Sequence, residues 1–296
     1  MGHEVTGVSL ALALAAAASA PAAGADVFYS SDAEDTVVLK TGISFDLRYD
    51  GPERRLGFRI ERAKFTPLGQ ESRTMERAYL RAADSLGAWK WNATVGTDGR
   101  TLLGSASIHD EARIRKELFV EREIVETPLG VTRRIYYTFA GAAIDLPADD
   151  RNILTLFAGV QPFTGGNVRS HLRANYVHVV KPEWGLSAQL RTRYFRSSDP
   201  GQFDYYSPRW YAEVLPVVQV RRFVDGWQLL GAAGYGAQRD SASKWRSSRY
   251  LDARFTSPAF HRDWALTGGL LYTNTPVSTG FTYRYLQFNV GIARAF

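Results

Sequence analysis

The chain of 296 residues contains no cysteine and only two methionines. Without cysteine there is no disulfide framework, no thiol chemistry and no cysteine-based zinc site. Stability must then come from a large core or from a sheet that closes on its own hydrogen bonds. Beyond the N-terminal segment no apolar run approaches the roughly 18 residues of a membrane helix, which excludes a helical membrane protein. A barrel is not excluded, because its lipid face takes only every second residue and a mean hydropathy of −0.23 hides it. No linker, solenoid-length repeat or low-complexity tract interrupts the sequence. No Gly-x-Ser-x-Gly elbow, His-Glu-x-x-His pair or other cofactor or metal motif occurs. The arginines do not gather with aromatics into one accessible basic patch, so nucleic acid is not an expected partner.

Residues Val8–Ala20 form an Ala/Leu-rich apolar run, and the small residues Ala23 and Ala25 fit a cleavage site before Asp26. The expected organisation is a signal peptide over 1–25 and one domain over 26–296, although the first ten residues carry neither Lys nor Arg. The formal charge is +6, and removing Glu4 with no basic residue leaves the mature chain near +7. Such an excess suits an anionic ligand or the phosphates of lipopolysaccharide.

Alternation with period two recurs between turn signals along the whole mature sequence. Val37, Leu39, Thr41, Ile43, Phe45 and Leu47 oppose Lys40, Gly42, Ser44, Asp46 and Arg48, and Asp50-Gly51-Pro52 ends the run. Trp89, Trp91, Ala93 and Val95 oppose Lys90, Asn92 and Thr94, followed by the hairpin signal Thr97-Asp98-Gly99-Arg100. The pattern is rougher over 113–126, where Lys116 and Arg122 fall on the apolar side, as snorkelling side chains near a rim would. Ile135, Tyr137 and Phe139 oppose Arg134, Tyr136 and Thr138, and 152–160 is apolar on both faces. In the second half the apolar faces are often bounded by Trp184 and Tyr194, Trp227 and Tyr235, or Trp264 and Tyr272, where a membrane interface holds aromatics. The strands run to about 10 residues or more, beyond the usual 5–6. The expected fold is all-β, a single closed antiparallel transmembrane β-barrel of about 16 strands, with 14 as the alternative at ~18 residues per strand and turn. A two-sheet sandwich with the apolar faces turned inward obeys the same alternation.

The last sixteen residues form an amphipathic strand ending in Phe296. With Phe288, Val290 and Ile292 on its apolar face, it resembles the assembly signal of bacterial outer-membrane barrels, though Arg294 stands where that pattern has an aromatic. From about Val125 onward the sequence resembles the outer-membrane barrel of bacterial exopolysaccharide exporters, the family of cellulose-secretion and poly-N-acetylglucosamine porins. The matching segments are Gly201-Gln-Phe-Asp-Tyr-Tyr-Ser-Pro-Arg-Trp-Tyr211, Asp225-Gly-Trp-Gln-Leu229, Gly234-Tyr-Gly-Ala-Gln-Arg239 and Tyr283-Arg-Tyr-Leu-Gln-Phe288. The resemblance implies a bacterial outer-membrane pore for a secreted polysaccharide. Its partners would be outer-membrane lipid and lipopolysaccharide, the barrel assembly machinery and the glycan cargo. Such exporters carry a tetratricopeptide array that nothing before Val37 could hold, so the resemblance implies a scaffold that is either a separate protein, alone or in a synthase complex, or absent.

A glycan conduit needs many weak, replaceable contacts and no covalent chemistry. The polar face supplies the candidate lumen residues: Arg169, Arg173, Arg191, Arg193, Arg209, Tyr211, Glu213, Gln219, Arg221, Gln228, Gln238, Asp252 and Arg254. Arginine suits a carboxylated or phosphorylated sugar through its planar fork. The same residues could instead form ion pairs that brace a narrow barrel. The alternatives are a general porin-like channel and a barrel enzyme acting on lipid, a phospholipase or deacylase. Ser170-His171 is the one close Ser/His pair, and adjacent strand residues point to opposite faces. Glu121 and Glu123 read as ladder charges, and Asp84, Asp149 and Asp150 as turn residues.

Overall fold

Sixteen antiparallel strands realise the alternation. A computed structural model describes residues 20–33, 36–258, 264–275 and 284–296. The strands are β1 (Ala22–Asp32), β2 (Val37–Tyr49), β3 (Arg55–Thr66), β4 (Arg73–Leu86), β5 (Trp89–Thr97), β6 (Leu102–Asp110), β7 (Lys116–Ile124) and β8 (Tyr136–Pro147). They continue with β9 (Asn152–Pro162), β10 (Val168–Lys181), β11 (Leu186–Ser197), β12 (Trp210–Val224), β13 (Trp227–Asp240), β14 (Arg246–Thr256), β15 (Trp264–Thr273) and β16 (Tyr285–Ala295). Each pairs with its sequence neighbours, and β1 closes the sheet on β16 through Ala22↔Ala295 to Asp32↔Tyr285. Phe296 N donates to Pro21 O at 2.9 Å at the foot of that seam. Closure leaves no sheet edge unpaired, the condition for a β-structure in hydrocarbon.

The expected leader boundary falls between Ala25 and Asp26. β1 begins at Ala22, and Ala22–Ala25 pair with residues 292–295 on one side and 43–46 on the other. Residues 1–19 of the leader lie outside the described residues.

An even number of strands brings both ends of the sheet to one rim. The connections at that rim are short, and the β12–β13 turn uses Asp225 (φ 49°) and Gly226 (φ 81°). Two successive positive φ values define the hairpin turn whose twist matches the strands, and Asp-Gly meets that demand. The opposite rim carries the longer connections, including 125–135 and 198–209.

Outward side chains are apolar and uncovered: Ile43 is 63% exposed, Leu80 71%, Leu172 58% and Leu251 56%. In water such a continuous belt would aggregate; in a bilayer it is the required surface. Five of the seven tryptophans, Trp89, Trp91, Trp184, Trp227 and Trp264, lie at the rim that holds the chain ends. Trp210 and Trp245 lie at the other. Phe288, Ile292 and Phe296 are exposed on the outward face of β16, and Val290 shares that face. Lys116 opens β7 beside Asp110 Oδ2 at 3.4 Å. Arg122 donates to Thr138 Oγ1 at 2.8 Å and lies over the Tyr136 ring.

β8 departs from the expectation that apolar faces meet lipid. Tyr137 and Phe139 turn inward with Val125, Ile135, Phe163 and Tyr205, all buried in one cluster. They cover the segments that fold into the barrel, and alternation alone could not report this because both faces of β8 are largely apolar. Asp84 also differs from its reading as a turn residue. It stands within β4 and pairs with Arg48, whereas Asp149 does serve a turn, accepting from the N–H groups of Arg151 and Asn152 at 2.8 Å.

Candidate functional site

The polar residues of the second half line up across the strands. Arg173 on β10, Arg193 on β11, Glu213 on β12 and Gln238 on β13 occupy one row of the register. Gln219, Ala232 and Asp252 form a second row, and Arg221, Leu230 and Arg254 a third, nearer the rim with the chain ends. Arg221, Gln228 and Arg254 share a recess at that mouth. Arg169 and Arg191 belong to the same inward face of β10 and β11. Arg209 stands apart, exposed in the 198–209 connection, with its N–H on Ser241 Oγ at 3.1 Å.

Near the far rim these side chains interlock. Arg193 Nη2 is 3.1 Å from Glu213 Oε2, and Ser248 Oγ donates to Glu213 Oε1 at 2.5 Å. Tyr211, fully buried, donates to Gln238 Oε1 at 3.1 Å and receives from Arg193 at 3.3 Å. Arg169 is sandwiched between the Phe163 and Phe195 rings at 5.1 and 4.5 Å and donates to the Tyr206 carbonyl. His171 Nε2 meets Gln161 Oε1 at 3.0 Å between Phe139 and Phe195. Ser170 is exposed on the opposite face, as the alternation requires, so the pair cannot act as a dyad.

The first half contributes a wall that the sequence pattern did not disclose. Asp26, Arg59, Glu61, Arg77 and Glu123 form a chain of ion pairs at 2.5, 2.6, 3.0 and 3.0 Å in that order. The Arg77 side chain is fully buried, and its Glu123 partner lies three strands away on β7. Lys40 on β2 reaches Glu126 at 2.7 Å, and Tyr137 donates to Glu121 at 2.5 Å. A charge buried in this way costs several kcal/mol unless paired, so each carboxylate has drawn a donor. The sequence signal was weak because β4 carries charged residues on both faces (Glu76 beside Arg77).

Connection 125–135 bridges the two walls. It contains one short helix, α1 (Pro128–Arg133), capped by Thr127, whose Oγ1 accepts from Gly130 N at 3.0 Å. Thr127, Val125 and Ile135 are buried, Val131 packs among Val38, Phe65 and Leu103, and Glu126 holds Lys40. From the other side, Asp204 accepts from Thr127 Oγ1 and from Leu129 N, both at 2.6 Å. Tyr205 stacks on Phe163 at 4.4 Å, with its hydroxyl bonded by Asn167 at 2.9 Å. Burial pushes the Tyr205 and Tyr206 phenols up, and Tyr206 donates to Asp240 Oδ2 at 2.5 Å. Together the two connections form a plug across the far mouth.

Between the walls lies a cavity of about 630 Å³. Lys40, Glu121, Glu123 and Glu126 line one side, and Arg173, Asn175, Arg191, Arg193 and Glu213 the other. Tyr250 and Gln287 are also among the lining residues. Among the described residues no group of three His, Asp or Glu side chains is arranged to hold a metal ion.

No protein-family model and no curated protein matches the chain. Solved structures do. A bacterial polysaccharide outer membrane secretin aligns over 94% of this chain and 98% of its own, with TM-score 0.67 and 13% identity. The Pseudomonas aeruginosa protein OccK3 (OpdO) covers 94% and 95% at TM-score 0.46 and 10% identity. Likeness at this level of identity is likeness of fold. The chain has the fold of the bacterial outer-membrane β-barrels, and its apolar belt between two aromatic rims places it in that membrane.

Proposed function

We propose that the chain is an outer-membrane channel through which a secreted polysaccharide leaves the cell, closed at one mouth by its own plug. The observation that carries this reading is the lumen surface. Guanidinium planes, phenols and amides face the cavity from many strands, and none of them forms a catalytic constellation. A glycan passes such a surface by exchanging one weak contact for the next, which conduction requires and tight binding would prevent. The barrel shared with a polysaccharide secretin supports the choice of cargo.

Long connections mark the extracellular rim of such barrels and short turns the periplasmic one. The plug then faces outward, and the mouth lined by Arg221, Gln228 and Arg254 receives the polymer. On the outward face, Phe288, Val290, Ile292 and Phe296 present the strand that the barrel assembly machinery would read. A periplasmic scaffold or synthase would deliver the cargo. Deleting the gene in a polymer-secreting host is expected to retain polymer in the periplasm. Undiminished secretion would reject the export function.

A further inference from the structure

The two walls of the cavity are not equivalent in charge. On the acidic side Glu123 is paired with Arg77, Glu126 with Lys40, and Glu121 is bonded by Tyr137. On the basic side four guanidiniums, those of Arg169, Arg173, Arg191 and Arg193, stand on two adjacent strands. The carboxylate among them is Glu213, and it holds Arg193. Arg173 and Arg191 have no carboxylate partner among the described residues. Arg173 lies over the Phe139 and Phe157 rings at 5.5 and 5.0 Å. Arg191 Nε donates to Gln189 at 3.0 Å, and its guanidinium lies 4.8 Å from the Tyr250 ring.

Two features show that the surplus charge is not there to brace the wall. Arg173 and Arg193 are direct cross-strand neighbours, and like charges in that position destabilise a sheet. Asn175, in register with Arg191 and lining the same cavity, keeps its buried Oδ1 without a hydrogen-bond partner. An internal brace would have supplied a carboxylate and satisfied the amide. Aromatic rings lie beside both guanidiniums, Arg191 spends Nε on Gln189, and no carboxylate among the described residues takes the N–H groups that remain.

We propose that Arg173 and Arg191, on either side of Asn175, form a subsite for an acidic sugar residue, with the guanidiniums taking the carboxylate of a uronate. This rests on the channel function above and specifies its cargo as an acidic glycan. Side-on attraction by two fixed cations, with Glu213 and the paired acids nearby, draws a polyanion in without holding it.

The test is titration calorimetry on the purified full chain in detergent, with oligogalacturonate against a neutral cello-oligosaccharide of equal length. Galacturonate monomer distinguishes a bare anion site from a glycan subsite. The acidic oligomer is expected to bind at least about tenfold more tightly than the neutral one, with a dissociation constant that rises with salt. It should also outbind the monomer. Arg173→Gln and Arg191→Gln should each remove most of that preference, and Arg173→Lys, which keeps the charge but loses the fork, should restore part of it. Arg62→Gln, on the outward face of β3, is the folding and charge control. Equal binding of the two oligomers, no binding of either, or a preference untouched by both substitutions would overturn the subsite. Retention of polymer in the periplasm tests the channel separately, so the two can fail independently.

Discussion

Asp204 fastens the plug, and its removal tests whether the plug is a gate. Its carboxylate accepts one hydrogen bond from the Thr127 hydroxyl and one from Leu129 N, both at 2.6 Å, across 75 or more residues of sequence. Hydrogen bonds to a charged acceptor contribute about 1.5–3 kcal/mol each when buried. Asp204 is half-buried, so solvent replaces part of what is lost. We take about 1–3 kcal/mol for the pair, which moves a two-state equilibrium roughly 5–150-fold. Asp204→Ala should therefore raise the open probability of single channels in planar bilayers by one to two orders of magnitude, on the scale of that factor. Asp204→Asn keeps an acceptor and should fall between. Thr127→Val removes both the donor to Asp204 and the cap of α1, a cap being worth about 1 kcal/mol, and should open the channel at least as far. The barrel wall is untouched by these changes, so yield and heat-resistant migration should stay as in the parent. Unchanged open probability in a correctly folded Asp204→Ala barrel would refute the role of the connection as a gate.

Other consequences reach the wall, the belt and the rim. Arg77→Met leaves Glu123 buried beside its own backbone with its main partner gone; breaking such a pair costs about 3–5 kcal/mol. The low end is expected because Glu61 keeps Arg59 at 2.6 Å, and urea unfolding should show Arg77→Met/Glu123→Gln recovering much of the loss. Leu172→Arg puts a charge in the middle of the lipid-facing belt, a change worth about 2–4 kcal/mol at mid-bilayer, readable as lost insertion into lipid vesicles. At the far rim, burial alone would raise the Asp98 carboxyl, but the Tyr136 hydroxyl and the N–H groups of Thr101 and Arg100 outweigh it and hold it below its ordinary 3.8. A depressed folded value means this stabilisation is complete above 3.8 and is lost as pH falls through the folded value. Asp98→Asn should accordingly flatten the acid limb of the stability profile, and an unaltered limb would remove Asp98 from the cause.

The wall was legible in the sequence because a strand between lipid and water must alternate, and β2, β11, β12 and β13 do so cleanly. The aromatic rims were legible for the same reason, since Trp184, Trp227 and Trp264 sit where apolar runs end. The plug was not. Segment 125–135 carries Val125, Val131 and Ile135 like any short apolar stretch, and its inward path depends on partners as distant in sequence as Lys40 and Asp204. Tyr137 and Phe139 could not reveal their direction because they serve that path and not the bilayer. Individual lumen residues such as Arg193 and Glu213 were placed by parity alone. Which of them are paired depends on register between strands, a long-range property that alternation does not encode. The ion chain through Arg77 escaped for a further reason: Glu76 and Arg77 put charge on both faces of β4, and the pattern there carried no direction.

Everything depends on which face of the strand meets lipid, and a chain without cysteine makes that directly measurable. Single cysteines at Val218, Gln219, Val220 and Arg221 on β12, each carrying a nitroxide in lipid vesicles, would report collisions with oxygen and with a water-soluble nickel chelate. Val218 and Val220 are expected to favour oxygen, and Gln219 and Arg221 the chelate, in strict alternation. The reverse alternation, or four labels alike, would contradict a barrel with hydrocarbon outside and water within.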